Sequence, residues 1–157
     1  MPTRRHDAMR QAARLAEDSV LAGGGPFGAV VVRDGAVVGR GSNRVTLEND
    51  PTAHAEIVAI RRACAALGRF TLAGCELYTT CEPCPMCLGA ILWARLDRVW
   101  FGNTRADAAA IGFDDAAFYD EVARPLEART LAMTPFAREL CLPAFALWDR
   151  KDDKTPY

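Results

Sequence analysis

The feature that most constrains this fold is split in two: Thr52-Ala53-His54-Ala55-Glu56, and further on Cys81-Glu82-Pro83-Cys84-Pro85-Met86-Cys87. One imidazole and a C-x-x-C thiol pair form a three-ligand set for a borderline or soft metal ion, so the fold must bring the two stretches together. Each stretch precedes an apolar run of helical period, which places both at helix N-termini. Free backbone N–H groups and the helix dipole there favour negative charge and draw a thiol toward thiolate. Such a chain must aim two helix starts at one point.

The scaffold around that point reads in order. Residues 7–21 carry Ala8, Met9, Ala12, Leu15, Ala16 and Val20 at helical spacing, with Asp7 as N-cap, and Gly23-Gly24-Gly25-Pro26 ends the helix. Two valine-rich runs, 27–33 and 36–40, flank Asp34-Gly35, a two-residue hairpin signal. Thr52 is a candidate cap for a helix to Leu67, which Gly68 stops. A short strand over 76–80 leads into Cys81, a helix follows over 84–95, and another strand covers 96–102. Beyond Gly102 the pattern weakens: 106–111 is loop or short helix, 114–122 helix, and Pro135 and Pro143 interrupt 131–147. A hairpin followed by helix–strand–helix–strand units gives an α/β chain, a mixed sheet with helices on both faces.

Size and charge narrow the rest. A chain of 157 residues fits one domain and buries roughly 70% of its unfolded surface, so it needs no disulfide staples. With six cysteines and no signal peptide or apolar run of membrane-spanning length, metal binding in a reducing cytoplasm is expected. A net charge of −1, with lysine only at Lys151 and Lys154, argues against a nucleic-acid or membrane partner.

Zinc suits a His/Cys/Cys set with a fourth position open to water, and lowers the pKa of that water to about 7. Hydrolysis by such a water also requires a group that takes a proton and returns it, and Glu56, two residues from His54, is the candidate. The order H-x-E…P-C-x-x-C is the signature of zinc deaminases, in which the Glu is not a ligand. Cys81 as a fourth ligand, closing a structural centre, is the competing reading. Cys64, Cys75 and Cys141 read as small hydrophobes, Phe27 as core, Asn43 as a loop-satisfying residue, and Asp114 and Asp115 as a capping pair.

The stretches GGPFGAVVV, SNRVTLENDPTAHAEIVAIR, YTTCEPCPMCLGAILWAR and AAIGFDDAAFYDEV together resemble the bacterial guanine deaminases of the cytidine-deaminase fold. The resemblance runs from the first helix to Tyr157. It implies a three-layer α/β/α domain over 1–157 with a central mixed five-stranded sheet. It implies one zinc per chain on His54, Cys84 and Cys87, proton shuttling by Glu56, and hydrolysis of guanine to xanthine and ammonia by hydroxide attack on the amino-bearing carbon. Phe27 would stack on the purine base, Asn43 pair with it, and Ala55 offer it a backbone N–H. The family forms homodimers that exchange C-terminal segments, here 131–157, so Asp115 and Tyr157 would enter the partner's site. Guanosine, a triazine or cytosine as substrate, and a tRNA adenosine deaminase, are the alternatives.

Overall fold

The computed structural model describes residues 2–157, with side chains from Arg5 onward. Helix α1 (Pro2–Leu21) begins earlier than expected, and Asp7 lies inside it, paired with Arg10 at 3.0 Å rather than capping. Strands β1 (Gly28–Arg33) and β2 (Ala36–Ser42) pair antiparallel, with a register shift at Val31/Val32. Asp34 and Gly35, both at positive φ (51° and 80°), form their turn, the backbone that Asp-Gly favours.

After the short helix α2 (Val45–Glu48) come α3 (Ala55–Leu67), β3 (Cys75–Cys81), α4 (Pro85–Trp93) and β4 (Arg98–Asn103). The sheet order is β2-β1-β3-β4, with β3 antiparallel to β1 and parallel to β4. Among the described residues the sheet has four strands, not five. After β4 the chain enters helix α5 (Arg105–Ala110), α6 (Ala116–Ala123), a 3-10 turn (Leu126–Ala128) and α7 (Arg138–Arg150). The alanine-rich 105–110 stretch favours helix over strand, so β4 keeps an unpaired outer edge. Pro143 does not break α7, although it removes one i→i−4 bond.

Period-two alternation builds both layers. Ala29, Val31, Cys75 and Leu77 face one side, packed with Ala55, Ala59 and Ala63 of α3 and Ile91 of α4. Val30 and Tyr78 face the other, against Ala8 of α1, with Val32 and Trp100 alongside. Helices α3 and α1 press closely on the sheet. A Cβ on Gly41 would lie 2.2 Å from the Ala55 carbonyl, and one on Gly28 2.1 Å from that of Ala12. That contact fixes where α3 begins, and with it His54.

The C-terminal third is unlike this core. No residue of α6 or α7 is buried, and Phe136, Leu140, Phe145 and Leu147 are exposed. Among the described residues, no helix is long and apolar enough to cross a membrane.

Candidate metal centre

His54 occupies the N-cap of α3 and Cys84 the N-cap of α4, both with extended backbone and neither making a side-chain capping bond. Thr52, expected to cap α3, instead donates from its hydroxyl to Asp50 Oδ1 at 2.7 Å. The cap position thus falls to a residue whose ring is free for another purpose. Pro85 opens α4, its fixed φ suited to the first turn, and Cys87 sits in that turn beside Cys84. The centre therefore lies at the carboxyl end of β3, where two helices start.

The distances can be tested against zinc. Tetrahedral zinc, with bonds of about 2.3 Å to sulfur and about 2.05 Å to nitrogen, needs S···N edges of about 3.6 Å. His54 Nδ1 lies 3.6 Å from Cys84 Sγ and 3.5 Å from Cys87 Sγ. All three ligand atoms lie within 4.8 Å of one another, the group among the described residues able to hold a metal. These residues fit the ion. Cys81 does not join them: its thiol points at the Thr104 carbonyl, 3.9 Å away, and burial pushes its pKa up to about 11. Its sulfur lies outside the cluster of three, so among the described residues the geometry gives no closed four-ligand centre.

Without a metal the ligands share protons. A hydrogen bond from Cys87 holds Cys84 down at about 4, while Cys87 itself is pushed up by that bond and by burial. The Cys84 thiolate in turn raises His54. A metal replaces the proton that Cys87 holds.

Glu56, on the first turn of α3, is 6% exposed. Its Oε1 accepts from Thr79 Oγ1 at 3.2 Å and its Oε2 from the Cys87 thiol at 3.4 Å. Burial raises its pKa, which keeps the protonated form within reach. With Cys87 as a thiolate ligand, Glu56 Oε2 would lose that donor and be open toward the centre, while Oε1 would keep Thr79.

The remaining sequence candidates gather unevenly. Ala55, fully buried, is the first residue of α3, where a backbone N–H has no acceptor within the helix. Asn43 is buried, its Oδ1 accepts from Val45 N at 3.2 Å, and Ser19 Oγ donates to its carbonyl at 3.0 Å. The loop-satisfying role is therefore real, and one Oδ1 lone pair plus the NH₂ remain for a ligand. Phe27 packs against the α3 side of the core and meets Phe113 edge-on at 5.0 Å.

Asp115 stands at the start of α6. Burial raises its carboxyl pKa, and the Cys84 thiolate adds to the rise. Asp115 occupies the N-cap of α6 without a side-chain capping bond, while Asp114 accepts from Ala116 N at 2.9 Å. Tyr157 is elsewhere: it lies against Phe70 and Trp93, with ring centroids 6.4 and 5.9 Å apart. Trp93 ends α4 while Cys84 precedes it, roughly 13 Å away along the axis. Thr79, Ser19 and Tyr119 were not singled out from sequence. Only Thr79 carried a signal, since alternation along β3 puts it on the same face as Leu77.

Comparison with known proteins agrees with this geometry. The cytidine and deoxycytidylate deaminase zinc-binding region matches residues 2–103. A guanine deaminase of Bacillus subtilis is 49% identical over 150 residues, 95% of this chain and 96% of that protein. The X-ray structure of Bacillus subtilis guanine deaminase superposes with a TM-score of 0.93 at 48% identity, covering 97% of this chain and 98% of that one. A guanine deaminase structure from Nitrosomonas europaea is 36% identical with a TM-score of 0.66, over 69% of this chain and 64% of that one. A tRNA-specific adenosine deaminase of Agrobacterium fabrum is 54% identical, but only over 55% of this chain and 57% of its own. With more than half its length matched and a His/Cys/Cys triad spaced for zinc, the chain belongs to the zinc-binding cytidine and deoxycytidylate deaminase family.

Proposed function

We propose that this chain is a guanine deaminase, hydrolysing free guanine to xanthine and ammonia with one zinc per chain. The observation that carries the reading is the juxtaposition of Glu56 with His54, Cys84 and Cys87. Similarity to the Bacillus subtilis guanine deaminase over nearly the whole chain supports guanine over other aminated rings. The tRNA-specific relative matches little more than half of it.

Zinc, when bound, supplies a Lewis acid that brings the pKa of water down to about 7. Glu56 would carry one proton from water to the ring nitrogen beside the amino-bearing carbon, then take the proton of the hydroxyl added at that carbon and deliver it to the departing amine. Its raised pKa suits a carboxyl that must hold and yield protons in turn. The base is gripped at its edges: the Ala55 N–H and the Asn43 amide pair with it, Asp115 accepts from its N–H groups, and the Phe27 ring lies against its face.

The protein acts as a cytoplasmic homodimer that exchanges residues 131–157. No residue of α7 is fully buried, and its exposed Leu140, Phe145 and Leu147 would be better covered against another surface. Tyr157, too distant from its own centre, completes the partner's.

Zinc-replete protein should convert guanine to equal amounts of xanthine and ammonia, and Glu56→Gln should abolish turnover while keeping zinc. Guanosine, cytosine and a triazine in the same assay should lag guanine by at least tenfold. Absence of xanthine, or faster release from guanosine, refutes the assignment.

A further inference from the structure

Two clamps hold the stretch of chain around Asp115. On one side Phe113 meets Phe27 edge-on at 5.0 Å, at the entry to β1. On the other, one turn into α6, the Tyr119 hydroxyl donates to the Pro83 carbonyl at 2.5 Å. Pro83 directly precedes the ligand Cys84, so this bond joins α6 to the loop that carries the metal. The Tyr119 ring is covered by the Arg105 guanidinium, 4.2 Å from its centroid. Arg105 is held by Glu82, whose carboxylate lies 3.5 Å from Arg105 Nε and accepts from its backbone N at 3.1 Å. Helix α6 has no buried residue, and Phe118 and Val122 on it are exposed. With so little packing, its placement depends on these few directed contacts.

We propose that Tyr119 is a positioning residue that acts through Asp115: its bond to Pro83 fixes α6 against the Cys84 loop and so aims the Asp115 carboxylate at the purine. This rests on Asp115 being a substrate contact, as in the function proposed above. The distribution of bonds supports it. Asp115 sits at the N-cap of α6, yet its side chain makes no capping bond, and the first helical N–H is taken by Asp114 instead. Its direction is therefore set by the orientation of the helix as a whole. Rotating α6 about its axis, or lifting its first turn from the loop, moves the carboxylate away from the ring while leaving the metal ligands and Glu56 in place.

The test is a double-mutant cycle on guanine binding in the Glu56→Gln background, where bound guanine is not consumed, read by calorimetry on zinc-loaded protein. Tyr119→Phe deletes only the hydroxyl and should weaken binding about tenfold, one lost hydrogen bond's worth. Asp115→Asn should weaken it at least as much, and the double variant no further than Asp115→Asn alone. Additive losses, or unchanged affinity in Tyr119→Phe, overturn the proposal. Deuterium uptake over residues 113–122, measured without guanine, should rise in Tyr119→Phe at unchanged zinc content, and unchanged uptake overturns it as well. If the Glu56→Gln protein binds no guanine, the functional reading fails, while the exchange measurement still decides whether Tyr119 holds α6.

Discussion

Thr79→Val probes how Glu56 is held. Thr79 is 1% exposed on β3 and donates to Glu56 Oε1 at 3.2 Å. Valine keeps the branched shape and loses the hydroxyl, so Oε1 is left without that donor in a place bulk water does not reach. A hydrogen bond to a charged group contributes about 1.5–3 kcal/mol. If the bond is needed to keep Oε2 directed at the centre, that loss appears in the transition state. At about 1.36 kcal/mol per decade it lowers kcat by roughly 10- to 150-fold. KM should stay within about twofold, because no guanine contact has been removed. Zinc content should be unchanged, and Thr79→Ser, which restores the donor, should recover most of the rate. The assay is steady-state ammonia release from guanine with zinc measured in the same samples. A kcat within twofold of wild type, or a loss confined to KM, refutes the assignment of Thr79 as the anchor.

Three other outcomes follow from the same geometry. Gly41→Ala places a Cβ 2.2 Å from the Ala55 carbonyl and 2.5 Å from Ala59 N, so α3 must move. The cost is about 3 kcal/mol, a Tm lower by roughly 6–12 °C, with weaker zinc binding because His54 heads that helix; an unchanged Tm contradicts the close packing. Burial and the bond to Glu76 push Tyr78 up to about 12, so the stability of its neutral form is complete below pH 10 and is lost as pH rises toward 12. Urea midpoints at pH 9 and pH 11 should therefore fall further apart in wild type than in Tyr78→Phe, and equal differences refute this. Finally, an inactive Glu56→Gln chain mixed and refolded with an impaired Tyr157→Ala chain should regain activity, since the mixed dimer holds one complete site; no recovery counts against tail exchange.

Most of the scaffold was legible because it rests on local rules. The Asp34-Gly35 turn, the valine-rich run of β1, and the glycine stop at Gly68 are each set by a few neighbouring residues. The clustering of His54, Cys84 and Cys87 was legible for the same reason, since they are marked by spacing and by the helices they open. Errors arose where a neighbour offered a second solution. Asp7 found Arg10 within a helix that starts earlier, and Thr52 bonded Asp50, leaving the cap to His54. Contacts between segments distant in sequence, such as Tyr119 with Pro83 or Ser19 with Asn43, leave no periodic trace. The fifth strand came from family resemblance alone, and the chain after Asn103 turned helical. That region lacks alternation because its apolar side chains face outward rather than across a sheet.

The central claim is a zinc ion gripped by three side chains with its fourth position open. X-ray absorption at the zinc edge of the purified protein tests it most directly. The account predicts two sulfur, one nitrogen and one oxygen neighbour, with the oxygen lost or displaced when a purine analogue binds. A third sulfur, or a shell unchanged between Cys84→Ser and wild type, would contradict it.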